Sequence, residues 1–211
     1  MKYIFAFAVM LLSVADVAAR QPAIRDVFKQ MPDSLVGYLS ENNRLDMIDF
    51  IDSRMPAEVE NALGGTSRLD TLTADYLKLT LTPASVVEMR LLPYTMGGSS
   101  TAGTLLCVVT TYGDSIRESE VRFYTTGWKS VADIDNPLSP DNVRRYAVSD
   151  SLVAGMGLDA VEDVAAEASL SPSAATMTIK MTLPICLTEN KVEVKPLDKS
   201  ITLNWNDVSF K

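Results

Sequence analysis

The chain has 211 residues, 47% of them hydrophobic and 22% charged, a balance that builds a packed core and excludes a disordered chain. Lys plus Arg total 19 against 27 for Asp plus Glu, so the net charge is −8, and such a surface repels nucleic acid and anionic lipid. Histidine is absent, which removes Ser-His-Asp and Cys-His catalysis and His-ligated metal centres together.

Residues 1–19 read as a secretory signal peptide. Lys2 supplies the positive start, Ile4 to Leu12 (IFAFAVMLL) the apolar run, and Val17-Ala18-Ala19 the small residues of a cleavage site. The run is too short to span a bilayer. No cysteine follows the cut to take a lipid, so the expected mature chain, residues 20–211, is exported and periplasmic or secreted, with no membrane span. Losing Lys2 and Asp16 together leaves the net charge at −8.

The next segment carries the helical period. Ala23 to Gln30 follows Pro22 and stops before Pro32, and Asp33 to Leu39 suits a short second turn. Asn43 reads as an N-cap, with Leu45, Ile48, Ile51 and Met55 forming the apolar stripe of a third helix. Pro56 ends it and Gly64-Gly65 closes the segment.

After the glycines the period changes to two. Tyr76 to Thr82 and Val86 to Leu92 read as strands, residues 93–103 (PYTMGGSSTAG) as a mobile loop, and Leu105 to Tyr112 as a β-branched strand. Gly113-Asp114 suits a two-residue hairpin turn returning along Ile116 to Thr125. On the return strand Val121 and Phe123 share a core face, while Glu118, Glu120, Arg122 and Tyr124 share a solvated one.

Two prolines and several turn formers make 133–142 a linker. It divides a first unit of helices then strands, 20–132, from a second, 143–211, which belongs to the same domain or to its own. In the second unit the pattern predicts helices at Asp141 to Tyr146 and at Leu158 to Ala168, the latter striped by Leu158, Val161, Ala165 and Ala168. Strands are predicted at Thr176 to Leu183, Val192 to Leu197 and Ile201 to Val208. An internal echo accompanies them: LKLTL at 77–81 matches IKMTL at 179–183, and VEMRLL at 87–92 matches VEVKPL at 192–197. Runs of helices followed by runs of strands define an α+β fold with helices on one face of an antiparallel sheet. The echo suggests two tandem helix-helix-sheet repeats, an architecture that resembles the β-lactamase-inhibitor-protein fold and carries no function by itself.

The candidate site residues are few. Trp128, just past a strand end, can stack on a sugar or a partner protein, or pack as a half-buried boundary residue. Glu118 and Glu120 stand about 7 Å apart along one strand face, a separation a two-carboxylate glycosidase uses. Arg122 beside them favours structural ion pairing instead. Asp133, Asp135 and Asp141 fall at EF-hand positions one, three and nine, but Leu138 and Arg144 stand where glycine and the bidentate Glu are required. They leave at most a looser oxygen-ligand metal site. Asp46, Asp49 and Asp52, and likewise Asp159, Glu162, Asp163 and Glu167, read as solvated helix faces. Cys107 and Cys186 lie in strand-like runs; export permits a disulfide, and two separately buried thiols is the plainer reading. Nothing in the sequence implies a cofactor.

The segments MPDSL (31–35) and ENNRLDMIDF (41–50), with TLNWN (202–206) more weakly, resemble an uncharacterised family of exported proteins, a domain of unknown function, from gut-dwelling Gram-negative anaerobes. The resemblance runs through most of the mature chain and implies export and an envelope address, with no catalytic residue to carry over. Three functions follow in order. First is a non-enzymatic binding protein of the cell envelope, engaging another envelope protein or a glycan through the sheet face and the Gly/Ser-rich 93–103 loop, with Trp128, Glu118, Glu120, Arg122 and Tyr124 as the candidate residues. Second is a glycan hydrolase using carboxylates alone, and third is calcium-dependent adhesion through 133–142.

Overall fold

The first helices begin where the sequence supplies start signals. The computed structural model describes residues 22–95, 102–148, 164–185 and 195–211, so the signal peptide lies outside the described residues. Helix α1 (Ile24–Lys29) follows Pro22 and buries Ile24, Val27 and Phe28, which share one helical face. A 3-10 turn covers Asp33–Leu35. Helix α2 (Glu41–Asp52) is capped by Ser40, not by Asn43: the Asn43 backbone N–H donates to Ser40 Oγ at 3.2 Å, and the Ser40 N–H donates to Asn43 Oδ1 at 3.1 Å. Asn43 is therefore the third residue of a capping box. Its buried face is also different from the expected stripe, consisting of Arg44, Met47 and Ile48, while Leu45 and Met55 are exposed. Arg44 takes the inward position because its guanidinium has backbone oxygens to meet there.

Six antiparallel strands follow in a meander: β1 (Glu58–Glu60), β2 (Thr66–Leu72), β3 (Tyr76–Thr82), β4 (Ser85–Thr95), β5 (Ala102–Tyr112) and β6 (Glu118–Thr125). Strands β1 and β2 were not anticipated; they flank Gly64, whose φ of +75° suits the turn between them. Strands β4 and β5 continue into the segment read as a loop, with Pro93, Tyr94 and Thr95 paired to Thr104, Gly103 and Ala102. Only 96–101 of that segment lie outside the described residues. The β5–β6 connection spans 113–117 instead of two residues. Gly113 is required there, because at φ +112° a Cβ would sit 2.1 Å from the Ile116 carbonyl oxygen.

Helix α3 (Pro140–Val148) then leads to a separate three-stranded antiparallel sheet of β7 (Ala165–Leu170), β8 (Thr176–Ile185) and β9 (Lys195–Asn204). The helix expected over 158–168 is corrected in part: Ala165 to Ala168 are strand, and 158–163 lie outside the described residues. Its alanines have helical propensity, but pairing with β8 overrides it. The last two expected strands are a single strand, β9, with Val208 exposed beyond it; 192–194 lie outside the described residues. The first echo pair falls in β3 and β8 and the second in β4 and, from residue 195 on, β9, although the two sheets have six strands and three.

The chain is thus mixed α and β with sheet predominant. The alternation of the larger sheet separates two cores. One face gives Leu77, Leu79, Val87, Met89, Leu106 and Val108 to a cluster with Ile24, Phe28, Met47 and Ile48 of the helices. The other gives Leu92, Leu105, Cys107, Val109, Val121 and Phe123 to a cluster with residues of α3 and the smaller sheet, among them Ala168, Ile179 and Trp205. That second core joins residues from both sides of 133–142. The helix-side core in turn corrects the half-wet sheet, since Tyr124, placed with the solvated residues, is buried in it. Among the described residues no helix is long and apolar enough to cross a membrane.

Candidate functional site

Strand alternation puts Glu120, Arg122 and Tyr124 on the helix-side face of β6, opposite Thr110, Val108 and Leu106 of β5. The helices leave this end of the face incompletely covered. A groove of about 100 Å³ remains, floored by Val87, Met89 and Val108 and walled by Met31, Leu35 and Val36 on one side and Tyr112, Glu120, Arg122, Tyr124 and Trp128 on the other.

Each wall is fixed by identifiable bonds. Trp128 sits in the turn after β6 at φ +63°, a left-handed conformation unfavourable for a bulky residue. The turn is closed by Trp128 N–H to the Thr125 carbonyl at 2.9 Å and Thr125 N–H to the Lys129 carbonyl at 2.8 Å. The indole N–H donates to the Val27 carbonyl at 2.8 Å, tying the turn to α1, and the ring lies 5.5 Å from that of Tyr124. Arg122 Nε and Nη2 both reach Glu120 Oε1, at 2.8 and 2.7 Å. Hydrogen bonding to Tyr124 and then to Glu120 raises the Arg122 pKa above its ordinary value. Partial burial and then the Glu120 charge push up the Tyr112 hydroxyl.

The opposite wall is held by Arg44, whose side chain is 2% exposed. Its Nη1 donates to Asp33 Oδ1 at 2.8 Å and to the Leu39 carbonyl at 2.9 Å, and its Nη2 to the Met31 carbonyl at 2.6 Å. A fork of donors inside the 31–39 loop leaves Leu35 at its surface, 36% exposed.

Four of the five residues singled out for binding therefore meet at one groove: Trp128, Tyr124, Arg122 and Glu120. Glu118 does not join them. It lines a separate cleft of about 340 Å³ with Ser119, Leu138, Val143, Arg144 and Val164. The two glutamates thus border different depressions, and Glu120 is bound to Arg122, so no paired-carboxylate arrangement forms. The sequence reading missed Tyr112, Thr110 and the Met31–Val36 wall. Alternation back from Val108 would have placed Thr110 and Tyr112 on this face; nothing local marks the loop.

The metal candidates do not converge. Among the described residues no group of three or more carboxylate, thiol or imidazole side chains is placed to hold an ion, Asp133, Asp135 and Asp141 included. Asp135 Oδ1 instead accepts from Asn142 Nδ2 at 3.2 Å, and Asn142 Nδ2 also donates to the Asn136 carbonyl at 2.9 Å, closing the loop onto α3. Asp46 and Asp49 are exposed, and Asp52 pairs with Arg25 at 2.7 Å. Asp159, Glu162 and Asp163 lie outside the described residues; Glu167, on β7, pairs with Arg117 at 3.6 Å.

Polar groups on the other face of the large sheet bind the two sheets together. Glu88 accepts from the Tyr76 hydroxyl at 2.6 Å through Oε1 and from the Leu170 N–H at 3.0 Å through Oε2. Ser119 Oγ accepts the Ala168 N–H at 2.9 Å, and Arg90 donates to the Ser171 carbonyl while pairing with Asp75 at 2.8 Å. These side chains satisfy the Ala168 and Leu170 N–H groups on the edge of β7, which no strand among the described residues pairs. Burial first, then the Glu88 hydrogen bond, pushes the Tyr76 pKa far up; burial and then the Glu88 charge do the same to Cys107. Cys107 is a free, buried thiol, and Cys186 lies outside the described residues.

A solved structure described as a domain of an uncharacterized protein from Porphyromonas gingivalis W83 has a similar fold, with a TM-score of 0.67 at 19% identity over 90% of this chain and 98% of that one. No curated protein matches the sequence. The model of the family described as Protein of unknown function (DUF3256) matches residues 16–210.

Proposed function

This chain belongs to the family Protein of unknown function (DUF3256), and we propose that it is an exported, non-enzymatic binding protein of the cell envelope. The groove between the Met31–Val36 wall and the Tyr112, Tyr124 and Trp128 rings is the binding surface. One observation carries the reading: apolar side chains and aromatic rings from four separate parts of the chain converge where the helical layer stops short, and Tyr112 and Leu35 remain exposed at its mouth. Half-buried aromatic rings beside an exposed apolar rim are the composition of interface anchors. Export rests on the sequence of residues 1–19. Neither glycan hydrolysis nor calcium adhesion receives comparable support, because Glu118 and Glu120 border different depressions and the 133–142 aspartates are dispersed.

The reading is tested by affinity capture from a cell-envelope extract with residues 20–211, run beside Tyr112→Ser and Leu35→Asp chains. A stoichiometric component retained by the native chain and lost by both variants is expected. Equal retention by all three chains would refute the groove. Export is checked separately by N-terminal sequencing of the protein from its native cells, where a start at Arg20 is expected and a start at Met1 would contradict it.

A further inference from the structure

We infer that one end of the six-stranded sheet rests on the surface of a bilayer with zwitterionic headgroups, a contact separate from the groove. In an antiparallel meander alternate turns fall at the same end. The β1–β2 turn (61–65), the β3–β4 turn (83–84) and the β5–β6 turn (113–117) therefore stand in a row. Hydrogen bonds tie the row together. The Gly113 N–H donates to the Ala84 carbonyl at 3.0 Å, and Asn61 Nδ2 donates to the Leu81 carbonyl at 3.2 Å. With neighbouring strands about 4.8 Å apart, the outer two turns are separated by roughly 19 Å along the sheet.

The row is apolar at its outermost points. Leu63 and Ile116, 67% and 63% exposed, are the most exposed large apolar side chains among the described residues, and Pro83 and Ala84 between them are exposed too. Two tyrosines stand behind these tips. Tyr112 is the last residue of β5, and the half-buried Tyr38 accepts the Ala62 N–H at its carbonyl at 3.0 Å. Aliphatic tips backed by tyrosine rings follow the polarity of a membrane surface, with hydrocarbon first and amphipathic rings at headgroup level. Shape separates a bilayer from a folded partner. Tips about 10 Å apart on a convex rim need matching cavities in a folded protein, whereas fluid lipid closes around each one where it enters.

Charge selects the headgroup. The three turns and the strand residues that flank them carry Glu60, Asp114 and Glu118 against Arg117, which pairs with Glu167 at 3.6 Å. Anionic lipid is held by clusters of Lys and Arg, which these turns lack, and the net charge of −8 repels it. A zwitterionic headgroup has no net charge and turns an ammonium group outward, toward the acids at the rim.

Co-sedimentation of residues 20–211 with phosphatidylcholine vesicles, beside vesicles of equal parts phosphatidylcholine and phosphatidylglycerol, tests the inference. Leu63→Asp and Ile116→Asp alter the tips. Val208→Asp is the control, because Val208 is 53% exposed but lies at the opposite end of the sheet, where the Thr95 N–H donates to the Asp207 carbonyl. Circular dichroism first establishes that the variants fold. The native chain and Val208→Asp are expected to bind phosphatidylcholine equally, and more tightly than the anionic mixture, with each tip variant about tenfold weaker. No binding by the native chain, the same loss in Val208→Asp, or a preference for the anionic mixture would overturn the inference. Neither Leu63 nor Ile116 lines the groove, so both tip variants should still capture the envelope component that Tyr112→Ser and Leu35→Asp lose. Capture lost in the tip variants as well would make the tips a protein contact and overturn the bilayer; vesicle binding without any capture would overturn the groove alone.

Discussion

The two faces of the six-stranded sheet are built from the same alternating strands yet are closed in different ways. Against the smaller sheet an apolar core is bounded by Glu88, Ser119 and Arg90, whose polar atoms reach the edge of β7 and its continuation at Ser171, and the cleft that remains lies at its margin, between the start of β6 and α3. Against the helices the apolar core is equally large at the β3–β4 end, but it thins toward β6 and leaves the groove. Burial alone does not distinguish the faces. What does is that one is tied by side-chain hydrogen bonds to the edge of β7, while the other leaves Tyr112 and Leu35 exposed at the mouth of a groove.

Substitutions within either core should be costly and should fail to tell the faces apart. Phe28→Ala and Ile179→Ala both empty fully buried sites, and each is expected to lower stability by about 2–5 kcal/mol in urea denaturation. A negligible loss for one of them would mean that its face is less tightly packed than the geometry indicates.

The polar closure is expected to be sensitive on one face alone. Glu88→Gln keeps the volume but cannot accept from both Tyr76 and Leu170, so a loss of about 1–3 kcal/mol should follow. Alkali probes the same face. The folded-state pKa values of Cys107 and Tyr76 are raised above their ordinary 9.0 and 10.0, so the folded chain holds protons that the unfolded chain releases. Their stabilisation is complete below about pH 8.5 and is lost as pH rises through 9 and beyond. Melting temperature should therefore fall from about pH 9 upward, and less steeply in a Cys107→Ala chain. An identical slope in that variant would contradict the assignment.

On the open face, Trp128→Phe removes the bond to the Val27 carbonyl and keeps a ring, so a loss of about 1 kcal/mol is expected. Tyr112→Ser and Leu35→Asp, at positions 53% and 36% exposed, should change stability by no more than about 0.5 kcal/mol while abolishing capture of the partner. Stability lost in proportion to binding would show these residues to be structural.

Much of this contrast could be read from the sequence, and the rest was hidden for physical reasons. Strand β3 was legible to the residue because YLKLTLT alternates without interruption. Strand β2 was not, because the buried side carries the polar Ser67 beside Leu69 and the register shifts between Leu69 and Thr71. Alanine-rich β7 reads as helix until its pairing with β8 is known. At the groove, Glu120, Arg122 and Tyr124 share a face by alternation, and Trp128 follows within one turn, so one wall was foreseeable. The other is placed by Arg44, a charged residue in a helix-core position whose partners are backbone oxygens of the 31–39 loop. Such oxygens leave no trace in side-chain pattern. Cys107 illustrates the converse: the strand and its apolar character were evident, but the nearby Glu88 charge on the next strand was not.

The central claim, that the helix-side groove and not the sheet-side surface takes the ligand, is most directly tested by methyl NMR of the chain labelled at methionine. Met31 and Met89 line the groove, whereas Met177 and Met181 lie in the opposite core. Adding the component captured from the envelope extract should shift the Met31 and Met89 methyl signals and leave those of Met177 and Met181 in place. Movement confined to Met177 and Met181 would contradict the account.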